Sequence, residues 1–315
     1  MAIDPSTKTA MRSHRLLLGA LCGLLFSVQL GCDFTELTAN GTAKLFQRAS
    51  PAVEQHWDYE LVGEAIPGSI TQLEGIHKVV PENQIIIEQL LRAYVSYGFG
   101  WVEDEVEQMQ LEGNYREAQA EQYRARLLYQ RARDLGLHWI LLNEEGLDAK
   151  LEEGLGPFEK WLEETFDDEE DAAMLLWTGY AWGSMINMAK DDMAEVADLP
   201  YAVALVQRSV KLDPTYYNAT GLTFLGVAES MGMAGDMEKS EGYFEKALEI
   251  TEGKVLVVPL NYAKAYAVKT QDRELFNELL TEIVEAGDIS PDTRLANMIA
   301  KRRAARYLEH ADEYF

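Results

Sequence analysis

The sequence predicts an all-α protein, a stack of helical hairpins, and three observations predict it. Apolar residues recur at three- and four-residue spacing through the body, and no sustained period-two run marks a half-buried strand. Prolines, which break helix interiors, fall mostly where helices would start or meet, at Pro51, Pro67, Pro81, Pro157, Pro200, Pro214, Pro259 and Pro291. Residues 222–250, LTFLGVAESMGMAGDMEKSEGYFEKALEI, read as two helices joined by a glycine turn. The run VLVVP at 255–259 is the one β-like stretch, short enough to be a buried connector.

The N-terminus reads as an address. Residues 1–10 precede a second methionine, as an N-terminal extension or because translation starts at Met11, and they stand outside the fold reading. Arg12 and Arg15 form a basic region, 16–28 an apolar run too short to span a bilayer comfortably, and Leu30-Gly31-Cys32 a small-residue exit, the build of a secretory signal. A cysteine directly after a small residue resembles the lipobox of bacterial lipoproteins. That resemblance makes 1–31 a signal peptide and Cys32 the lipid anchor, although Gln29 stands where an aliphatic residue is usual. An uncleaved anchor helix with Cys32 incidental stays open. Residues 32–50 read as a lipidated polar tether and 51–315 as the helical domain.

Four hairpins follow in order. The first runs from Ile85 through Tyr94 and Tyr97 to Ala118, Tyr129 and Ala132. The second sets Gly179 and Trp182 against Ala202, Val206, Ser209 and Pro214 across a long turn. In the third, Leu222, Leu225 and Gly226 match the start of a tetratricopeptide repeat. With two extra turn residues, Gly235, Ser240, Phe244 and Ala247 take its turn, small, aromatic and alanine positions. The fourth runs from Tyr262 through 271–284. Such units cannot bury their own faces singly, so a degenerate tetratricopeptide-repeat-like (TPR-like) stack must form its core between neighbours.

Between Asp171 and Lys190 lie eighteen residues that do not ionise, with Gly179 and Gly183 in the G-x-x-x-G spacing of membrane helices. A helix of that length rises about 27 Å, close to a bilayer core. Thr178, Ser184 and Asn187 dilute it, however, and acidic flanks give no positive-inside asymmetry. The expectation is a helix buried on several sides, its aromatics filling the core or lining a cavity.

Composition excludes several function classes. With 53 acidic against 28 basic residues the net charge is −25, the opposite of the basic footprint that nucleic acid requires. Cys22 and Cys32 both lie in or beside the N-terminal apolar run, which leaves no disulfide framework for the body. His14, His56, His77, His138 and His310 form no H-x-x-x-H pair. The acidic run at 167–171 lacks the alternating ligands and turn glycine of a calcium loop and reads as a solvated helix start. With no phosphate loop, dinucleotide fingerprint or G-x-S-x-G elbow, the expectation is a non-enzyme without cofactor or metal.

WTGYAWGSMINMAKDD (177–192), followed by LPYAVALVQRSVKLDPTYYNATGLTFLGVAES (199–230), resembles the TatT component family of TRAP (tripartite ATP-independent periplasmic) transporters. So do 58–84, 244–280 and the ending LANMIAKRRAARYLEHADEYF, in the family's order, across about 50–315. The resemblance implies a periplasmic lipoprotein of degenerate repeats that associates with the solute-binding protein of a secondary transporter, with a homo-oligomer among its arrangements. It also implies a groove or pore for a hydrophobic or organic-acid ligand, nearest to which the matching aromatic segments would place Tyr97, Trp101, Trp177, Trp182 and Asn187. It brings no catalytic residue. Asp33 does not decide between inner and outer membrane. The competing reading is a TPR scaffold lipoprotein for envelope assembly with no small ligand, since a fold does not fix a function.

Overall fold

The computed structural model describes residues 34–231 and 235–315, and among them there is no strand. The expected signal peptide, 1–31, and the expected anchor Cys32 lie outside the described residues. Helix α1 (34–54) occupies what was expected to be a tether. It buries Ala43 and packs Phe46 against the core, while Phe34, Leu37 and Leu45 face solvent. α2 (Tyr59–Val79) starts at Asp58, whose carboxylate accepts from the Leu61 amide. Pro67 sits inside α2 and Pro51 inside α1, not at helix starts. The buried face Val62, Ile66, Ile70 and Leu73 continues on both sides of Pro67, and such packing outweighs one missing backbone hydrogen bond.

The first hairpin is long. α3 (Gln84–Tyr97) passes through a π turn at Gly98–Val102 into α4 (Glu103–Leu111), and α5 (Tyr115–Asn143) returns along both. Two short helices, α6 (Leu147–Glu153) and α7 (Leu155–Thr165), lead to the second hairpin. There α8 (Ala172–Asn187) is followed by the single turn α9 (Met193–Val196) and by α10 (Leu199–Leu212). α8 packs on both α5 and α10, which explains an apolar sequence without a polar face. Among the described residues no helix is long and apolar enough to cross a membrane. The two glycines of α8 serve different neighbours. A Cβ on Gly179 would lie 2.7 Å from the Ala202 carbonyl oxygen, and one on Gly183 2.6 Å from the Phe224 ring. Ser209 Oγ donates to the Ala172 carbonyl at 2.8 Å, which closes this hairpin at its other end.

In the third hairpin, α11 (Tyr216–Ser230) and α12 (Met237–Thr251), Phe244 lies against Gly226 and Ser240 Oγ donates to the Gly226 carbonyl at 2.7 Å. Phe244 also stacks on Tyr262 of the next unit at 4.9 Å, so one ring joins two hairpins. The β-like run 255–259 enters a helix, α13 (Val257–Asn261), with Val258 buried. A π turn (Tyr262–Ala267) and α14 (Val268–Thr270) lead to α15 (Arg273–Glu285). The last helix, α16 (Arg294–Glu309), packs on α15 and α13 and touches α2, so the end of the chain returns to its beginning.

Candidate functional site

Where the chain closes on itself, α4 and α16 face each other through charge. Asp104, with a side chain only 3% exposed, accepts from Arg302 Nε at 2.9 Å and from Arg306 Nη1 at 2.6 Å. Arg306 Nη2 also donates to Glu107 at 2.7 Å, and the Tyr307 hydroxyl donates to the same carboxylate at 2.7 Å. Arg303 is buried between the two helices, 3.3 Å from Glu107 and 3.6 Å from Glu103, with its guanidinium 4.5 Å from the centre of the Phe99 ring. Burial alone would raise the Glu107 carboxyl. Arg303, Lys264, Tyr307 and Arg306 overcome that and hold it at about 2. Glu103, which accepts from the Tyr129 hydroxyl at 2.5 Å, is instead pushed up by burial. Lys264, its ammonium 4.0 Å from the Tyr314 ring and 4.5 Å from Tyr307, is lowered to about 8, mainly by burial.

Next to this wall is a cavity of about 140 Å³ between α4, α8, α11 and α13. Glu103, Tyr180, Ser184, Asn187, Asn218 and Thr220 supply its polar lining. Phe99, Phe224, Val227, Val257 and Val258 supply much of the apolar lining. Gly183 makes room for Phe224, so the G-x-x-x-G spacing shapes the cavity at one glycine and the α8–α10 contact at the other.

One wall is strained. Tyr217, Asn218 and Ala219 are consecutive left-handed residues with φ of 44°, 59° and 57°. Non-glycine residues in that region cost of order 1–3 kcal/mol each, and only surrounding contacts sustain them. Tyr217 supplies such contacts: its ring meets Trp177 edge-on at 4.7 Å, the Arg92 guanidinium lies 4.7 Å over it, and its hydroxyl donates to Glu54 at 3.3 Å. The turn sets Asn218 and Thr220 on the cavity.

Of the five residues expected near a groove, Asn187 lines this cavity and four do not. Trp177 is 2% exposed and donates to the Tyr216 hydroxyl at 3.2 Å; Trp182 is buried and stacks on Tyr201 at 6.2 Å. Tyr97 and Trp101 stack together at 6.1 Å, and Trp101 continues onto Tyr59 at 5.0 Å. Trp101 and Tyr97 are thus an aromatic row beside α2 rather than partners of Trp177. Sequence reasoning missed Glu103, Tyr180 and Asn218. Tyr180 and Ser184 were readable from their one-turn spacing in α8, and Asn218 only as a residue that tolerates the left-handed region.

A larger cleft of about 370 Å³ lies between α7 and α10, and two of its cations are engaged. Lys211 pairs with Glu163 at 2.5 Å and Arg208 Nε donates to the Phe166 carbonyl at 2.8 Å. Among the described residues no group of histidine, cysteine or carboxylate side chains is placed to hold a metal ion. No curated protein matches the chain. A family model does match, over residues 55–315, from just past α1 through α16. By that match the chain belongs to the TRAP transporter T-component (TatT) family.

Proposed function

We propose that this protein is a periplasmic lipoprotein subunit that docks with the solute-binding protein of a TRAP-type transporter and holds or passes a small amphipathic ligand in the cavity between its hairpins. The T-component family is an accessory component of such transporters, and its model spans the whole hairpin body, which supports docking. The observation that carries the ligand part is the cavity itself. Tyr180, Ser184, Asn187 and Asn218 line it, and none of these side chains hydrogen-bonds to another protein group among the described residues. Tyr180, Ser184 and Asn187 are partly buried there and call for water or a ligand, whereas Asn218 is exposed to solvent.

Anchoring through Cys32 has a geometric consequence. The described part of α1 starts at Phe34, two residues later, and two residues reach about 7 Å at most. A lipidated Cys32 therefore holds the body against the bilayer, with the exposed Phe34 and Leu37 nearest to it. The test is mass spectrometry of the N-terminal peptide from purified membranes. It is expected to begin at an acylated Cys32, and a peptide that retains residues before Cys32 refutes the anchor.

A further inference from the structure

We infer that the cavity receives the uncharged, hydroxyl- or amide-bearing end of an amphipathic molecule and discriminates against a carboxylate; this rests on the reading of the cavity as a ligand site. The four unpartnered side chains are hydroxyls and carboxamides, which donate and accept without carrying charge. No lysine or arginine lines the cavity, whereas Glu103 does. The nearby guanidinium of Arg303 does not line the cavity; its Nη2 faces Glu107 and Glu103 and its plane the Phe99 ring, while its buried Nε is without a hydrogen-bond partner. A carboxylate entering here would meet the Glu103 carboxyl and no lining cation, and Lys190, which lies near enough to Glu103 to feel it, has its charged form disfavoured by burial, so little offsets the lost hydration. A hydroxyl would lose nothing comparable, because Glu103 and the asparagine carbonyls accept from it.

Size and shape agree with a partly buried ligand end. A cavity near 150 Å³ holds a group of about six non-hydrogen atoms, and this one measures about 140 Å³. Phe224, Val227, Val257 and Val258 offer the adjoining apolar surface for a short chain. Asn218 reaches the cavity through three left-handed residues, a cost that an ordinary helix start would avoid.

The experiment uses the full chain held in nanodiscs, dialysed to equilibrium against 1,2-hexanediol, hexanoate or hexylammonium at neutral pH, with empty nanodiscs subtracted. The diol is expected to bind at least about tenfold more tightly than either ion. Asn187→Ala and Asn218→Gly, the latter keeping the left-handed backbone accessible, are each expected to weaken it about fivefold, near the value of one hydrogen bond. Tightest binding by hexanoate or hexylammonium, or unchanged affinity in both variants with native circular dichroism, overturns the inference. If the folded protein retains none of the three probes, the ligand-site reading itself is overturned.

Discussion

Replacing Asp104 by asparagine tests whether the charge wall joins the two ends of the chain. The substitution keeps the side chain's shape but removes the charge and turns an N–H group toward guanidinium donors. Asp104 has two short contacts, to Arg302 Nε at 2.9 Å and to Arg306 Nη1 at 2.6 Å. Hydrogen bonds to charged groups contribute about 1.5–3 kcal/mol each. Arg302 is 44% exposed and rehydrates, so its share falls toward the surface value of about 0–1 kcal/mol. Arg306, 12% exposed, stays tied to Glu107 but loses its second partner inside the body. Together these give a loss of about 3 kcal/mol, or a Tm about 6–12 °C lower for a domain of this size. Urea unfolding of Asp104→Asn, Arg306→Met and the double variant measures it, with a coupling energy of at least about 1 kcal/mol expected. A loss under about 1 kcal/mol with additive variants refutes the claim that this contact closes the chain.

Glu107, held at about 2 against an ordinary carboxylate near 4.5, contributes stability above pH 4.5 that is lost as pH falls toward 2; Glu107→Gln should flatten that acid limb in pH-dependent urea titrations. Gly179→Ala should cost about 1–3 kcal/mol, because its Cβ meets the Ala202 backbone carbonyl, which cannot move aside as a side chain can. Gly75→Ala, a position in α2 with open space around it, should stabilise by about 0.5–1 kcal/mol in the same assay. Trp177→Ala should cost about 3–5 kcal/mol in thermal unfolding, since it empties a buried site and removes the support of Tyr217. Trp177 is therefore unsuited to test ligand handling, and Asn187 takes that place.

The hairpins were legible where close approach demands a particular residue. Gly179 against Ala202, Gly226 against Phe244, and Ser209 and Ser240 capping opposite carbonyls all follow from small residues at helix-pair spacing. Helix α1 was not legible as part of the body, because its polar residues read as a tether and only Ala43 and Phe46 reveal its buried side. Pro67 marked no boundary, since tertiary burial on either side of it outweighed a local rule. Of the residues that the resemblance placed near a groove, Asn187 lies on the cavity. The resemblance also pointed toward Trp177 and Trp182, but large aromatics fill a core as readily as they line a cavity. The residues that do line it come together from α4, α8, α11 and α13, far apart in sequence, and three left-handed residues in a row carry no local sequence signal.

The most direct test of the account is recovery of a partner. The full-length protein, purified from detergent-solubilised membranes of its own cell and confirmed folded by circular dichroism, is predicted to bring with it a periplasmic solute-binding protein identifiable by mass spectrometry in near-stoichiometric amount. Recovery of the folded protein with no solute-binding protein, or with only envelope-assembly factors, would contradict it.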